Sequence, residues 1–391
     1  MTHTPATESD LCALVTEARA KKTPLAIRGG GTRAGLGRPT QTAETVSMRG
    51  LSGVVFYEPA EMVICARAGT PFAEIEALLA ARNQILPFEP PDHRRLYGSS
   101  GEPTIGAIAA CNLSGSRRIS VGAARDALIG VRFVNGMGEA IKNGGRVMKN
   151  VTGLDLVKLS CGAHGTLGVL TEVTFKLLPK PETSATLVLH GLDDTRAVEA
   201  LAQALGSPFE VSGAAHLPAG VGADGARTLL RIENFENSVA YRIAELRKLI
   251  GGDEVLDDAA SRALWRDVSE CGFFAAPDPR VIWRVSTAPS RAPDLVRSVQ
   301  RAGAVAHFYD WGGGLIWLAV DAADDARAND VHAAVAACGG HATLVRAPDE
   351  VRAHVDVFQP LAEPVMKLTR GVKASFDPDG ILNPGRMYAG I

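Results

Sequence analysis

Along the first half of the chain, apolar positions switch between helical and strand periods, and the switches mark its elements. Leu11, Leu14, Val15 and Ala18 recur at helical spacing, which predicts a helix from Ser9 to Lys21 with Ser9 as its N-cap. Short apolar runs at 25–27, 54–56 and 62–66 predict strands. Pro71 opens a helix to Asn83 that places Phe72, Ile75, Leu78 and Leu79 on one face. From Pro87 to Ser100 proline and charge break the period, so an irregular stretch is expected, with His93 solvated within it. Residues 131–135 and 139–142 flank Gly136-Met137-Gly138 as a hairpin. A short helix over 154–161 and a strand over 169–178 close this half at Pro179.

After Pro181 helices and strands alternate more regularly. Helices are predicted near 194–205, 237–250, 291–302 and 325–337. Strands are predicted near 184–190, 227–232, 281–286, 304–309, 315–320 and 341–346. Such proportions suit an antiparallel sheet with helices on one face, an α+β arrangement. A last helix, about 361–374, runs into Phe376-Asp-Pro-Asp-Gly-Ile-Leu-Asn-Pro-Gly385, which has too many turn residues to form an element.

Composition narrows the function classes. A chain of 391 residues is too long for one ordinary core, so two or three lobes are expected. A net charge of -2 gives no support to a nucleic-acid surface or a polybasic membrane patch. The six cysteines form no C-x-x-C pair, which argues against zinc and iron–sulfur motifs and for reduced thiols in a cytoplasmic protein. Neither a signal peptide nor an apolar run of membrane-spanning length is predicted.

The strand at 25–27 runs straight into Arg28-Gly29-Gly30-Gly31-Thr32-Arg33-Ala34-Gly35. Side-chain-free residues let a ligand approach the backbone, and successive N–H groups can line an anion site. Gly29, Gly31 and Ala34 fit a relaxed dinucleotide fingerprint, but that motif needs a helix to open at the glycines. Here Leu36-Gly37-Arg38-Pro39 follows, without helical period, and no Lys-Ser or Lys-Thr completes a phosphate-loop motif. A plain glycine turn between strands is the bland alternative. Two further glycine-centred segments lie at 102–115, with Thr104-Ile105-Gly106 and Asn112-Leu113-Ser114-Gly115, and at 149–172, with Gly162, Gly165-Thr166 and Gly168-Val169.

In order and spacing these three segments resemble the FAD-binding domain of the vanillyl-alcohol oxidase and p-cresol methylhydroxylase (PCMH) superfamily. The resemblance implies a PCMH-type two-subdomain FAD-binding domain over 1–181, a cap domain over 182–360, and a C-terminal helix and tail, 361–391, that return to the first. It implies that Arg28, Gly29, Gly30, Gly31, Thr32 and Gly35 serve the pyrophosphate. Thr104, Ile105, Gly106, Asn112, Ser114 and Gly115 would line the second half of the dinucleotide site. Gly162, Gly165, Thr166, Gly168 and Val169 would pass the adenine and ribose, and Gly122 and Asn383 of the tail would join them. Some members attach flavin through a histidine next to the pyrophosphate loop. The matching residue here is Thr32, so non-covalent FAD is implied.

Related 2-hydroxyacid dehydrogenases carry a signature resembling H-x-G-D-G-N-x-H in the second domain. The comparable segment here keeps His307 and Asp310 but has Gly314 at the second histidine. His307 is therefore expected to be a satisfied core histidine, with no metal site, and His190, His216, His332, His341 and His354 to be isolated. An intact flavin domain beside a degraded signature resembles the E-type subunits of bacterial glycolate oxidase complexes. That resemblance implies a subunit that supports, or relays electrons for, a larger catalytic flavoprotein and an iron–sulfur subunit during oxidation of glycolate to glyoxylate. Any membrane association would be peripheral, through those partners. Two alternatives stay open: a self-sufficient 2-hydroxyacid oxidoreductase, with Arg284, Lys367 or Arg370 pairing a substrate carboxylate, and a structural subunit without chemistry.

Overall fold

The computed structural model of the protein describes residues 1–145, 153–322 and 325–391; the opening of the third glycine segment, Lys149 to Thr152, lies outside them. The N-terminal part is built on two sheets. Strands Thr2–His3, Glu44–Ser47 and Leu25–Arg28 form a parallel sheet in that order. The helix Glu8–Ala20 covers it by burying Leu11, Val15 and Ala18 against Leu25, Val46 and Met48. Its cap is Thr7, not Ser9. The Thr7 hydroxyl accepts from Asp10 N–H at 3.1 Å, and the Asp10 carboxylate accepts from Thr7 N–H at 2.9 Å. The apolar period alone could not choose between two hydroxyl residues so close together, whereas the reciprocal pair satisfies two orphan donors.

The second sheet is antiparallel, in the order Val54–Glu58, Val63–Arg67, Val169–Lys176, Leu128–Val134, Ala140–Gly144. Helices Phe72–Ala80, Ile105–Cys111 and Leu156–Ser160 bury Phe72, Ile75, Ile108 and Val157 in its core with Phe133 and Phe175. Gly106 starts the middle helix pressed on the chain at Ala68; a Cβ there would lie 2.5 Å from the Ala68 Cβ. Only a glycine permits that approach.

The middle part is one eight-stranded antiparallel sheet. Its two halves are joined by a single register pair, His216 with Tyr309. Helices Asp194–Leu205, Glu236–Ile250, Ala292–Gln300 and Ala328–Cys338 cover one face. The expectation that all its helices share that face is corrected. Asp258–Ser269 packs on the opposite face through Trp265 and Val268, with Leu96 of the N-terminal part, Phe308 and Trp317. The sequence pattern signals neither that helix nor the short buried strand Gly213–Leu217.

The seam between the half-sheets has its own clasp. Asp194 accepts from the Tyr309 hydroxyl at 2.8 Å, and its carboxylate lies 2.8 Å from His307 Nε2 and 3.4 Å from His216 Nε2. Burial would raise the Asp194 pKa, but the bonds from His216, His307 and Tyr309 hold it well below the usual carboxylate range. His307 is thus a satisfied core histidine, while His216 is not isolated, because sheet register brings it to the same carboxylate.

A buried charge network joins the two parts. Arg117 donates to Glu233 at 3.0 and 2.7 Å, and Arg231 donates to Glu89 at 2.8 and 2.9 Å. Arg231 also lies 3.2 Å from Glu233 and its guanidinium sits over the Trp265 ring. Removing one member leaves a buried charge uncompensated. Arg231→Ala is expected to lower the unfolding free energy by about 3–5 kcal/mol in urea titrations. A loss below about 1 kcal/mol, the scale of an exposed pair, would show that the network does not hold the two parts together.

Candidate functional site

The chain's three glycine segments meet around one cleft. Its lining includes Arg28, Gly29, Gly30, Gly31 and Thr32, then Thr104 and Gly106, then Gly165 and Gly168, with Asn383 from the tail. The loop after Leu25–Arg28 opens no helix, as its sequence predicts. Gly31 has φ +78° and its Cβ direction meets nothing within 4 Å, so it turns toward open space. Gly29 and Gly30 serve a different purpose. A Cβ on Gly30 would fall 1.6 Å from the Glu102 carbonyl oxygen, and one on Gly29 would fall 2.2 Å from Thr104 Oγ1. These two glycines let the first and second segments lie against each other.

Other predicted residues stand off the cleft lining. Gly35 packs beside the Tyr97 ring, and Ile105 and Val169 are core residues. Asn112 takes a left-handed conformation at the end of Ile105–Cys111, and its Oδ1 accepts from Arg125 N–H at 3.0 Å. Ser114 Oγ accepts from Ala124 N–H at 2.9 Å, and Gly115 donates to the Phe88 carbonyl at 2.9 Å. Gly122 ends a short helical turn in a positive φ beside Asp126, and Gly162 donates to the Ala109 carbonyl at 3.1 Å. The Thr166 carbonyl accepts from buried Lys373 Nζ at 2.7 Å.

The tail ties the lining together. Asn383 Oδ1 accepts from Ile27 N–H at 2.8 Å, and its Nδ2 donates to the His164 carbonyl at 2.8 Å. Its own N–H donates to the Leu25 carbonyl at 3.0 Å. Lys373 Nζ also donates to Asp377 at 2.6 Å and to the Leu382 carbonyl at 2.9 Å. One carboxamide therefore spans the first and third segments, and one ammonium holds the turn that presents it.

The chemistry of the lining suits an anionic ligand with a polar spine. Arg28, Arg33 and Arg386 line the cleft, and among the described residues none has a carboxylate within 4.0 Å. Arg33 is buried, and burial lowers its pKa. Arg33 Nε and Thr104 Oγ1 are buried with no hydrogen-bond partner among the described residues. Buried polar atoms are rarely left unpaired, so these orphans fit a bound group that completes them. Histidine 164 also lines the cleft, a placement that its position in a glycine-rich motif did not signal.

Where the cap sheet faces the N-terminal part, a second group of side chains converges. His93, expected to be solvated, is buried at 5% exposure, and its Nε2 has no partner among the described residues. Its ring lies edge-on to Trp317, with centroids 6.0 Å apart, so cap packing rather than local sequence buries it. Burial, with Arg33 and Arg284 nearby, pulls its pKa down to about 3. Trp311 donates from Nε1 to the Gly115 carbonyl at 3.0 Å, which joins this group to the second glycine segment. Of the three cations considered for a carboxylate, only Arg284 is here. Arg370 pairs with Glu363 at 3.1 Å and Lys367 is exposed, both on the outer helix Glu363–Phe376.

The FAD binding domain family model matches residues 1–144. The chain is 38% identical over 377 residues to the glycolate oxidase subunit GlcE of Escherichia coli (strain K12), covering 96% of this chain and 95% of that one. It is 30% identical over 185 residues to the glycolate oxidase subunit GlcD of Bacillus subtilis (strain 168), covering 47% of this chain and 38% of that one. Among solved structures, 4-ethylphenol oxidase from Gulosibacter chungangensis superposes with a TM-score of 0.72 at 14% identity, over 99% of this chain and 89% of that one. The last likeness shows the shared α+β fold.

The state of His93 has a pH signature. Its ring in the unfolded chain takes a proton below its ordinary 6.5, but in the folded chain only near 3. Between those values protons favour unfolding, so stability present above pH 6.5 is lost as pH falls toward 3. In urea titrations from pH 6.5 to 4, His93→Gln is expected to flatten the loss by up to about 1.4 kcal/mol per pH unit. Equal slopes for the two proteins would contradict a buried neutral imidazole.

Proposed function

That the chain belongs to the family of the glycolate oxidase subunit GlcE is the premise from which we propose that it is a non-covalent FAD-binding subunit of a glycolate-oxidising complex. The observation that carries this reading is the cleft itself, where glycine backbone, unpaired arginines and the orphaned Thr104 hydroxyl meet. In this reading the loop from Arg28 to Thr32, with Gly35 behind it, holds the pyrophosphate. The segments around Thr104–Gly106, Asn112–Gly115, Gly122 and Gly162–Val169 shape the rest of the dinucleotide site. Residues 1–181 then form the FAD domain, 182–360 the cap, and 361–391 the returning tail.

When bound, FAD supplies the hydride acceptor that side chains cannot. The chain supplies position and charge. Arg28, Arg33 and Arg386 offset phosphate charge, and Asn383 orients the first and third segments. The network through Arg231 and Glu233 joins the cap to the N-terminal part. Thr32 offers no nitrogen for a covalent link. The names of the two relatives support partnership with a larger flavoprotein subunit, and we extend this to an iron–sulfur subunit and to glycolate as the substrate of the assembly.

The purified chain is expected to carry a flavin absorbance spectrum, and acid precipitation should release that flavin to the supernatant. A colourless protein that takes up no added FAD would overturn the reading, and flavin left in the pellet would overturn the non-covalent part. Replacing Gly30 tests little, because its Cβ would strike the Glu102 backbone. Ala110 lines the cleft from a regular helix. Ala110→Leu is expected to weaken FAD binding by about tenfold or more, roughly 1.4 kcal/mol, with the circular dichroism unchanged. Unchanged affinity would move the flavin elsewhere.

A further inference from the structure

We propose that this chain carries its own binding site for a small carboxylate, formed by Arg118 and Arg284 on the Trp311 indole between the cap sheet and the N-terminal part. The two arginines come from distant segments. Arg118 starts a short helical turn after the second glycine segment, and Arg284 lies on the cap strand Val281–Ser286. Their guanidinium carbons lie 4.4 and 4.9 Å from the Trp311 ring centroid. Among the described residues neither has a carboxylate within 4.0 Å. Two half-buried positive charges therefore share one aromatic ring without the carboxylate partner that such groups ordinarily have.

The nearest acids do not supply that partner. Asp310 is buried and already engaged, accepting from Ser116 Oγ and Trp311 N–H at 2.7 Å each. Burial pushes its pKa up to about 7, so it carries partial charge at most near neutrality. Asp126 accepts from Ala123 N–H at 2.8 Å, at the start of its own helical turn. Burial and the neighbouring Arg118 pull the Arg284 pKa down to about 10, the mark of two cations held together against repulsion. His341 lies on the same sheet face as Arg284, and its charged form is disfavoured by burial and by both arginines. His93, with its unpartnered Nε2, stands close enough to feel Arg284.

This arrangement fits a short anion with a hydrogen-bonding group beside it. A carboxylate offers one planar guanidinium its two-oxygen edge and has lone pairs left for the second, and the neutral His93 ring could bond an adjacent hydroxyl or keto oxygen through Nε2. That the site opens toward the flavin rests on the FAD reading above; that it binds a carboxylate does not. The inference separates this chain from a purely structural subunit, because a scaffold gains nothing from two half-buried cations held together without a carboxylate.

The test is a titration of the purified FAD-loaded chain with oxalate, with acetamide as the uncharged control. Two readouts are followed, the flavin difference spectrum and the thermal midpoint. Oxalate is expected to perturb the spectrum saturably and raise the midpoint, while acetamide does neither. Arg284→Gln and, from the other side of the interface, Arg118→Gln are each expected to weaken oxalate binding by about tenfold or more while retaining FAD. Arg284→Lys should recover part of the affinity, as a charge without the two-pronged geometry. Absence of any oxalate effect on the wild-type chain, or wild-type oxalate affinity in both glutamine variants, would overturn the proposal. If the chain binds no FAD yet oxalate still raises the midpoint of the wild type and not of the variants, the flavin reading fails and the carboxylate site stands. Inorganic phosphate distinguishes a general anion site: phosphate binding as tightly as oxalate would overturn the carboxylate assignment.

Discussion

The Asn383 carboxamide is the contact on which the cleft depends. It accepts from Ile27 N–H just before the glycine loop and donates to the His164 carbonyl in the third glycine segment. Those two segments belong to different sheets and share no strand pairing. Apolar packing of Leu25 and Val46 with Val134 and Val169 already joins the two sheets, and the carboxamide adds a directional cross-piece at the cleft itself. The tail provides that cross-piece because Lys373 and Asp377 fix its turn from inside, and the turn holds Asn383 at φ 42°, a conformation asparagine tolerates better than most residues. A clasp from the end of the chain therefore shapes a pocket whose lining comes mostly from the beginning.

Charge follows a consistent division. Where the two parts of the molecule must stay joined, arginines are fully paired, as Arg117 and Arg231 are with Glu89 and Glu233. Where a ligand is proposed, arginines lack a carboxylate partner, as buried Arg33 does at the cleft and half-buried Arg284 does at Trp311. Unpaired charge withdrawn from water costs stability, so its concentration at these two places and not in the Arg117–Arg231 network is informative about function.

Much of the fold was legible because its signals are local. Strand alternation at 169–178, the glycine hairpin at 136–138 and the turn-rich tail each depend on neighbours within a few residues. The convergence of three glycine segments was legible through resemblance, since order and spacing survive in sequence. The roles within the segments were less so. Gly30 and Gly31 look identical on paper, but one is pressed against Glu102 and the other faces open space. His93 read as a loop residue because its burial is conferred by Trp317, far along the chain. Arg118 gave no signal at all, since its meaning comes from sharing an indole with Arg284 across the cap interface. The helix Asp258–Ser269 escaped because its apolar face is narrow, with only Ser261, Trp265 and Val268 buried.

The central claim is that a tail clasp assembles an FAD cleft from separate segments. The most direct measurement is the FAD dissociation constant of the full chain compared with that of Asn383→Gly, which keeps the backbone conformation available and removes both side-chain bonds. The account predicts tight binding by the wild type and a loss of about tenfold or more in the variant, with its circular dichroism intact. Equal affinity in the two proteins, or no FAD binding by the wild type, would contradict it.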